Sequence, residues 1–177
     1  MLLSSFPPLV APNAAVLILG SMPGQMSLRQ QQYYAHPHNH FWRIMGDLVG
    51  VSPALPYEER TRELTRAGVA LWDSLKHCER PGSLDASIVA ETEVPNDFAT
   101  LLAGHPAIGA ICFNGQKSEQ AFRRHALPGL PDALIAGRDL IRLPSTSPAN
   151  ARLTYEQKLA RWRVILDYLP TPLAGHG

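Results

Sequence analysis

The sequence predicts an α/β fold: a parallel sheet covered on both faces by helices. Four short runs carry the prediction, at 15–19 (AVLIL), 69–72 (VALW), 108–113 (IGAICF) and 140–143 (LIRL). A strand buried on both faces reads as a nearly continuous apolar run, not as an alternation, and these runs do. Segments with helical periodicity lie between them, and strands alternating with helices make a parallel sheet. Three of the strands lead into loops rich in Gly, Pro, Ser or Asn, at 20–24, 114–115 and 144–150. In a parallel sheet such loops open on one edge, beyond the carboxyl ends of the strands, where ligands bind.

Residues 1–13 form a Pro-rich lead-in, expected to be peripheral. After the first strand, a long loop reaches a helix at Phe41–Leu48, with Phe41, Ile44, Met45 and Leu48 on one face and Gly50 near its end. Tyr57–Ala67 is a charged helix with Glu58 and Arg62 at i,i+4, stopped by Gly68. The stretch 74–93 lacks clear periodicity, contains Pro81-Gly82 and reads as mostly loop. Asn96 is the expected N-cap of a helix through Leu102, which Gly104 and Pro106 terminate. Gln116–His125 is a helix with Ala121 and Phe122 inward. Tyr155–Leu169 closes the fold behind a Thr154 cap, with Leu159, Trp162, Ile165 and Leu166 on its apolar side. From Pro170 the chain reads as a peripheral tail.

Composition bounds the function. The 177 residues, 45% hydrophobic and 18% charged, are expected to make one domain spanning 1–177. A net charge of +1 argues against sequence-blind coating of nucleic acid but permits a local basic patch. Two cysteines are too few for a disulfide framework, and Cys112, in an apolar run, reads as a buried thiol. Met1-Leu2-Leu3 lacks the basic start of a signal peptide, and no apolar run reaches membrane-spanning length. The expectation is a soluble, cytoplasmic monomer without a membrane partner.

Gly20-Ser-Met-Pro-Gly24 is a turn whose glycines let backbone approach a ligand, but it lacks the Lys-Ser/Thr of a phosphate-binding loop. Next comes Tyr33-Tyr-Ala-His-Pro-His-Asn-His-Phe-Trp42. His36, His38 and His40 invite a metal reading, yet zinc needs partners elsewhere, and His77, Cys78 and His105 form no recognisable spacing. Tyr33 and Tyr34 either fold onto the core or stack on a flat ligand; Phe41 and Trp42, at the helix start, read as core. Asn114 is either an Asn-Gly turn former or an amide that reads a base edge. Ser145, Thr146 and Ser147 either cap a helix or grip phosphate, and Thr154 stands better placed for the cap. Arg123, Arg124, Arg152, Arg161 and Arg163 read as solvated helix faces. No carboxylate lies within the three loops, so acid–base catalysis by a carboxylate pair is unsupported.

In this order, Gly-Ser-Met-Pro-Gly, Tyr-Tyr-Ala-His-Pro-His-Asn-x-Phe-Trp, Phe-Asn-Gly-x-Lys and Leu-Pro-Ser-Thr-Ser-Pro-Ala-Asn resemble the uracil-DNA glycosylase superfamily, in the form of its hypoxanthine-DNA (deoxyinosine) glycosylases. The resemblance spans about residues 15–165. It implies a three-layer α/β/α fold with a four-stranded parallel sheet. It also implies cofactor-free hydrolysis of the N-glycosidic bond of a deaminated base in DNA, flipped from the stack. By this likeness Gly20, Ser21 and Met22 lie against the substrate, Tyr34 stacks on the base and Asn114 bonds its edge. The loop from Ser145 to Asn150, with Thr146 and Ser147, would pinch the backbone and fill the gap left in the duplex. Uracil-directed relatives carry Asp or Asn where this chain has Met22, which cannot position water; the resemblance moves the catalytic role to Asn39. The rival readings are a DNA-binding module without chemistry, a metal-dependent hydrolase using His36, His38 and His40, and an enzyme of small nucleotides.

Overall fold

The computed structural model describes residues 1–171, so most of the expected tail lies outside the described residues. In chain order the elements are β1 (Leu2–Ser4), β2 (Val16–Gly20), α1 (Gln25–Gln30), α2 (Phe41–Val49), α3 (Tyr57–Arg66), β3 (Val69–Asp73) and β4 (Leu75–Glu79). There follow β5 (Val94–Pro95), α4 (Phe98–Gly104), β6 (Ala110–Asn114), α5 (Gln116–Ala121), α6 (Asp132–Ile135), β7 (Asp139–Leu143) and α7 (Tyr155–Trp162).

The four expected strands form one parallel sheet in the order β3-β2-β6-β7. Every residue of β2, β3 and β6 is buried, which is why their sequences run apolar without alternation. Alternate side chains serve opposite layers. Val16 and Ile18 pack with Phe41, Ile44, Leu64 and Trp162. Leu17 and Leu19 pack with Phe98, Leu102, Phe113 and Phe122. From β2 the chain winds one way to β3, and from β6 the other way to β7. The crevice at the carboxyl ends of β2 and β6 is therefore the topological switch point. Gly20 and Asn114 are the residues that end those two strands.

A second, antiparallel sheet, β1-β4-β5, was not expected. The stretch read as loop after residue 74 contains β4, whose Leu75 and Cys78 are buried while Lys76 and Glu79 are exposed. Its pattern is broken by a register shift between Leu75 and His77, and both its partners are remote in sequence. The lead-in is tied down as well: β1 pairs with β4, and Leu9 exchanges backbone hydrogen bonds with Leu71, both 2.9 Å.

Smaller departures have local causes. Asp97, not Asn96, caps α4, accepting from the Thr100 amide at 3.2 Å. The Asn96 amide instead donates to the Asp73 and Leu75 carbonyls at 2.7 and 3.2 Å, satisfying the corner between the two sheets. Thr154 caps α7 in a reciprocal capping box with Gln157. Beyond Trp162 the last helix tightens to a 3-10 turn over Arg163–Asp167. That change of period rotates Leu166 off the apolar stripe, leaving it exposed while Ile165 stays buried. Among the described residues no helix is long and apolar enough to cross a membrane.

Candidate functional site

The turn after β2 is bolted from two sides. The Gly20 carbonyl accepts from the Ser74 amide at 2.7 Å. A Cβ on Gly20 would sit 2.5 Å from Asp73 Oδ1, so any larger residue there would have to displace the Asp73 carboxylate. Arg80, 5% exposed, donates to the Met22 and Pro23 carbonyls at 3.3 and 2.8 Å. The Ser21 hydroxyl donates to Asp85 Oδ1 at 2.5 Å. The Met22 side chain is core, packed with Leu75, Cys78, Ile88 and Ala121 under the small sheet.

The two neighbouring tyrosines divide the roles left open by sequence. Tyr33 is core: its hydroxyl donates to the Pro7 carbonyl at 2.9 Å, and its carbonyl accepts from Trp42 Nε1 at 3.0 Å. Tyr34 takes a left-handed backbone (φ 56°), an uncommon and strained choice for a bulky residue, and stacks on Phe41 with centroids 4.1 Å apart. Its hydroxyl is buried without a hydrogen-bond partner. Burial, and secondarily the Asp73 carboxylate, push that phenol well above its usual range.

Asn39 is held by its own helix. Its Oδ1 accepts from the Phe41 amide at 2.9 Å, and its backbone amide donates to the His36 carbonyl at 2.9 Å. The carboxamide keeps a free N–H₂ and one further lone pair. His36 and His38 lie side by side, centroids 5.5 Å apart, whereas the His40 ring meets Tyr155 edge-on. Among the described residues no three His, Cys, Asp or Glu side chains are grouped to hold a metal ion, so the three histidines are not a shared site.

Thr146, 1% exposed, is the joint of the site. Its amide donates to Asn114 Oδ1 and its hydroxyl accepts from Asn114 Nδ2, both at 2.9 Å. Its carbonyl accepts from the His40 amide at 3.0 Å. One residue thus ties the loop after β7 to the end of β6 and to the segment beside Asn39. The Asn114 amide retains one N–H and one lone pair. The rest of the loop braces itself: Ser145 Oγ accepts from the Ser147 amide at 3.2 Å, Ser147 Oγ accepts from the Ala149 amide at 3.2 Å, and Asn150 Nδ2 donates to the Ser145 carbonyl at 3.1 Å.

A cleft of about 570 Å³ opens between the segment around Asn39, the far end of the loop after β7 and α7, lined by Asn39, His40, Arg43, Pro148, Asn150 and Lys158 among others, and Tyr34 and Asn114 do not line it. It is cationic. Lys158 is 1% exposed, and among the described residues no carboxylate pairs with it. Burial lowers its pKa, and His40 is lowered by burial and then by the charges of Lys158 and Arg43. Arg43 itself lies over the Tyr155 ring, 3.7 Å from its centroid.

Two residues went unrecognised in the sequence. Lys158 falls three residues after Tyr155 and four before Trp162, on the buried stripe of α7, so periodicity marks it as an enclosed cation. Asp73 directly follows the apolar run 69–72 and therefore stands at the sheet edge where ligands bind. It is 4% exposed, and burial, then the Asp85 carboxylate, raise its pKa to about 7 against the opposing pull of Arg80.

An open parallel sheet with a cluster of polar side chains at its switch point is the arrangement in which α/β proteins place their ligand sites. The family model of the uracil DNA glycosylase superfamily matches residues 7–167. The chain belongs to the uracil DNA glycosylase superfamily. A hypoxanthine DNA glycosylase of Methanosarcina acetivorans is 35% identical over 169 residues, covering 95% of this chain and 100% of the relative. One from Methanosarcina barkeri is 40% identical over 114 residues, 64% of this chain and 71% of the relative. The solution NMR structure of a candidate uracil DNA glycosylase from M. acetivorans superposes with a TM-score of 0.75 at 35% identity, covering 94% of this chain and 99% of that one.

Proposed function

We propose that this chain is a monofunctional DNA glycosylase that removes deaminated bases, hypoxanthine first and uracil more weakly, acting as a cytoplasmic monomer. The observation that carries the reading is the Thr146 joint. It links Asn114, at the end of β6, to the backbone of His40 next to Asn39, in a chain similar over nearly its whole length to a hypoxanthine DNA glycosylase. The target nucleotide leaves the stack, its base stacking against Tyr34 and meeting the amide of Asn114. As the C1′–N bond breaks, the base leaves with the electron pair, the deoxyribose takes on oxocarbenium character, and water adds to C1′ and loses its proton to solvent while the base is protonated. Asn39 cannot remove a proton near neutral pH; it orients that water or hydrogen-bonds the departing base. An oxocarbenium ion tolerates a weak nucleophile, which fits a site where Met22 is committed to packing.

Release of free base from oligonucleotides carrying deoxyinosine, deoxyuridine or the undamaged bases, with abasic sites revealed by alkali, tests the reading. Tight binding without base release selects the DNA-binding module instead. Turnover of free inosine but not DNA selects the small-nucleotide enzyme.

The cationic cleft beside Asn39 suits a backbone phosphate. Lys158→Gln is expected to weaken DNA binding and to reduce the slope of log affinity against log salt by about 1. Titrations at several salt concentrations check it; an unchanged slope removes the phosphate from this cleft.

A further inference from the structure

We propose that Leu84 is a DNA contact of this protein, an apolar tip that packs against the bared face of a base next to the flipped nucleotide in duplex DNA. The inference rests on the glycosylase reading and deepens it by naming a surface that holds the duplex on the flank away from the loop after β7.

Apart from the N-terminal Met1, Leu84 is the most exposed large hydrophobic side chain among the described residues, at 57%. A single exposed leucine is ordinary on a protein surface; the way this one is held is not. Its segment, between β4 and β5, is pinned on both sides of it to the chain that follows β2. The Ser83 hydroxyl accepts from the Gln25 amide at 3.0 Å, and Asp85 Oδ1 accepts from the Ser21 hydroxyl at 2.5 Å. Arg80, which holds the Met22 and Pro23 carbonyls, also donates from Nε to the Gly82 carbonyl at 2.8 Å. Leu84 itself is extended (φ −82°, ψ 135°), and in extended chain successive side chains point to opposite sides. With Ser83 and Asp85 directed at the turn, Leu84 is directed away from it. The pinned loop thus presents the leucine to solvent and keeps it out of the small-sheet core, where Met22, Leu75 and Ile88 pack.

The place of this tip suits a duplex. The sheet order is β3-β2-β6-β7. The loop carrying Leu84 is bonded to the chain leaving β2, whereas the loop after β7 is bonded to the end of β6 through Asn114 and Thr146. The two loops therefore border the switch point from opposite sides. A nucleotide drawn out of the stack leaves two neighbouring bases, each with one bare face. A loop entering from one side covers one of these faces, and the other calls for an apolar group from the opposite side. Leucine is among the side chains that proteins place against opened base steps, because it shields a bare base from water without competing for its hydrogen bonds.

The test is binding to oligonucleotides carrying uncleavable 2′-fluoroarabino-inosine, as duplexes and as single strands, with 2-aminopurine beside the lesion reporting how the neighbouring base is stacked. Leu84→Ser is expected to bind the duplex about tenfold more weakly than wild type, the scale of withdrawing most of one leucine side chain from water. At saturating protein it should also change the 2-aminopurine fluorescence of the bound duplex. Single-strand affinity is expected to stay near wild type, because a single strand has little stacking for the leucine to replace. Leu84→Met, apolar and adaptable, should recover most of the duplex affinity. The side chain is exposed, so neither substitution disturbs the core. Wild-type duplex affinity in Leu84→Ser, an equal loss on single and double strands, or an unchanged 2-aminopurine signal overturns the proposal. Base release from deoxyinosine DNA is scored separately. Release by a protein whose duplex affinity ignores Leu84 sinks only the role of Leu84, and a Leu84-dependent duplex affinity without release sinks only the catalytic reading.

Discussion

Asn39→Ala is expected to slow hypoxanthine release by about 10²–10³-fold in single-turnover measurements, the scale of one preorganised polar contact in a transition state. The physical basis is the fixed carboxamide. Its Oδ1 is anchored on the Phe41 amide, so the remaining donor and lone pair have a set direction beside the cleft. The same bond satisfies the Phe41 amide at the start of α2 in place of a cap from His40, and its loss is expected to cost about 1 kcal/mol of stability. Asn39→Asp keeps an acceptor for that amide and should recover the stability, which separates the cap from the chemistry. Wild-type single-turnover rates in Asn39→Ala would remove Asn39 from the mechanism.

Asn114→Ala is expected to relax the choice between hypoxanthine and uracil and to lower excision of both. It deletes the proposed contact to the base edge. It also leaves the Thr146 amide without its acceptor and the Thr146 hydroxyl without its donor, a penalty of about 1–3 kcal/mol for buried groups. Because Thr146 also holds the segment next to Asn39, part of the rate loss passes through that joint. Asn114→Asp is the informative partner: it still accepts from the Thr146 amide but offers no N–H to a base carbonyl. A base preference identical to wild type in both variants would place recognition elsewhere.

The fold was largely legible because its main sheet is made of runs buried on both faces, and burial leaves a local mark in each run. The small sheet was not. β4 owes its state to β1 and β5, remote partners, and its own five residues carry two buried positions and a register shift. Asn96 shows the same limit at a single residue: its side chain fits an N-cap, but a corner between two sheets needed its amide more. In the site, the glycine–proline turn, Tyr34, Asn39, Asn114 and the Ser145–Ser147 loop were all marked by sequence. Their mutual contacts, and the burial of Asp73 and Lys158, were not.

The stretch from Gly20 to Trp42 alone determined where to look and the kind of groups available: a close-packed turn, an aromatic face and an amide in place of an acid. Turn chemistry and apolar runs act over a few residues, so they can be read from a few residues. Only the tertiary structure decided that Ser21 bonds Asp85 and Met22 packs under the small sheet, that Tyr33 is core while Tyr34 takes a strained backbone, and that Asp73 arrives from a neighbouring strand with an unpartnered oxygen. Those outcomes depend on which remote surfaces pack together, and on whether a buried polar atom finds a partner there.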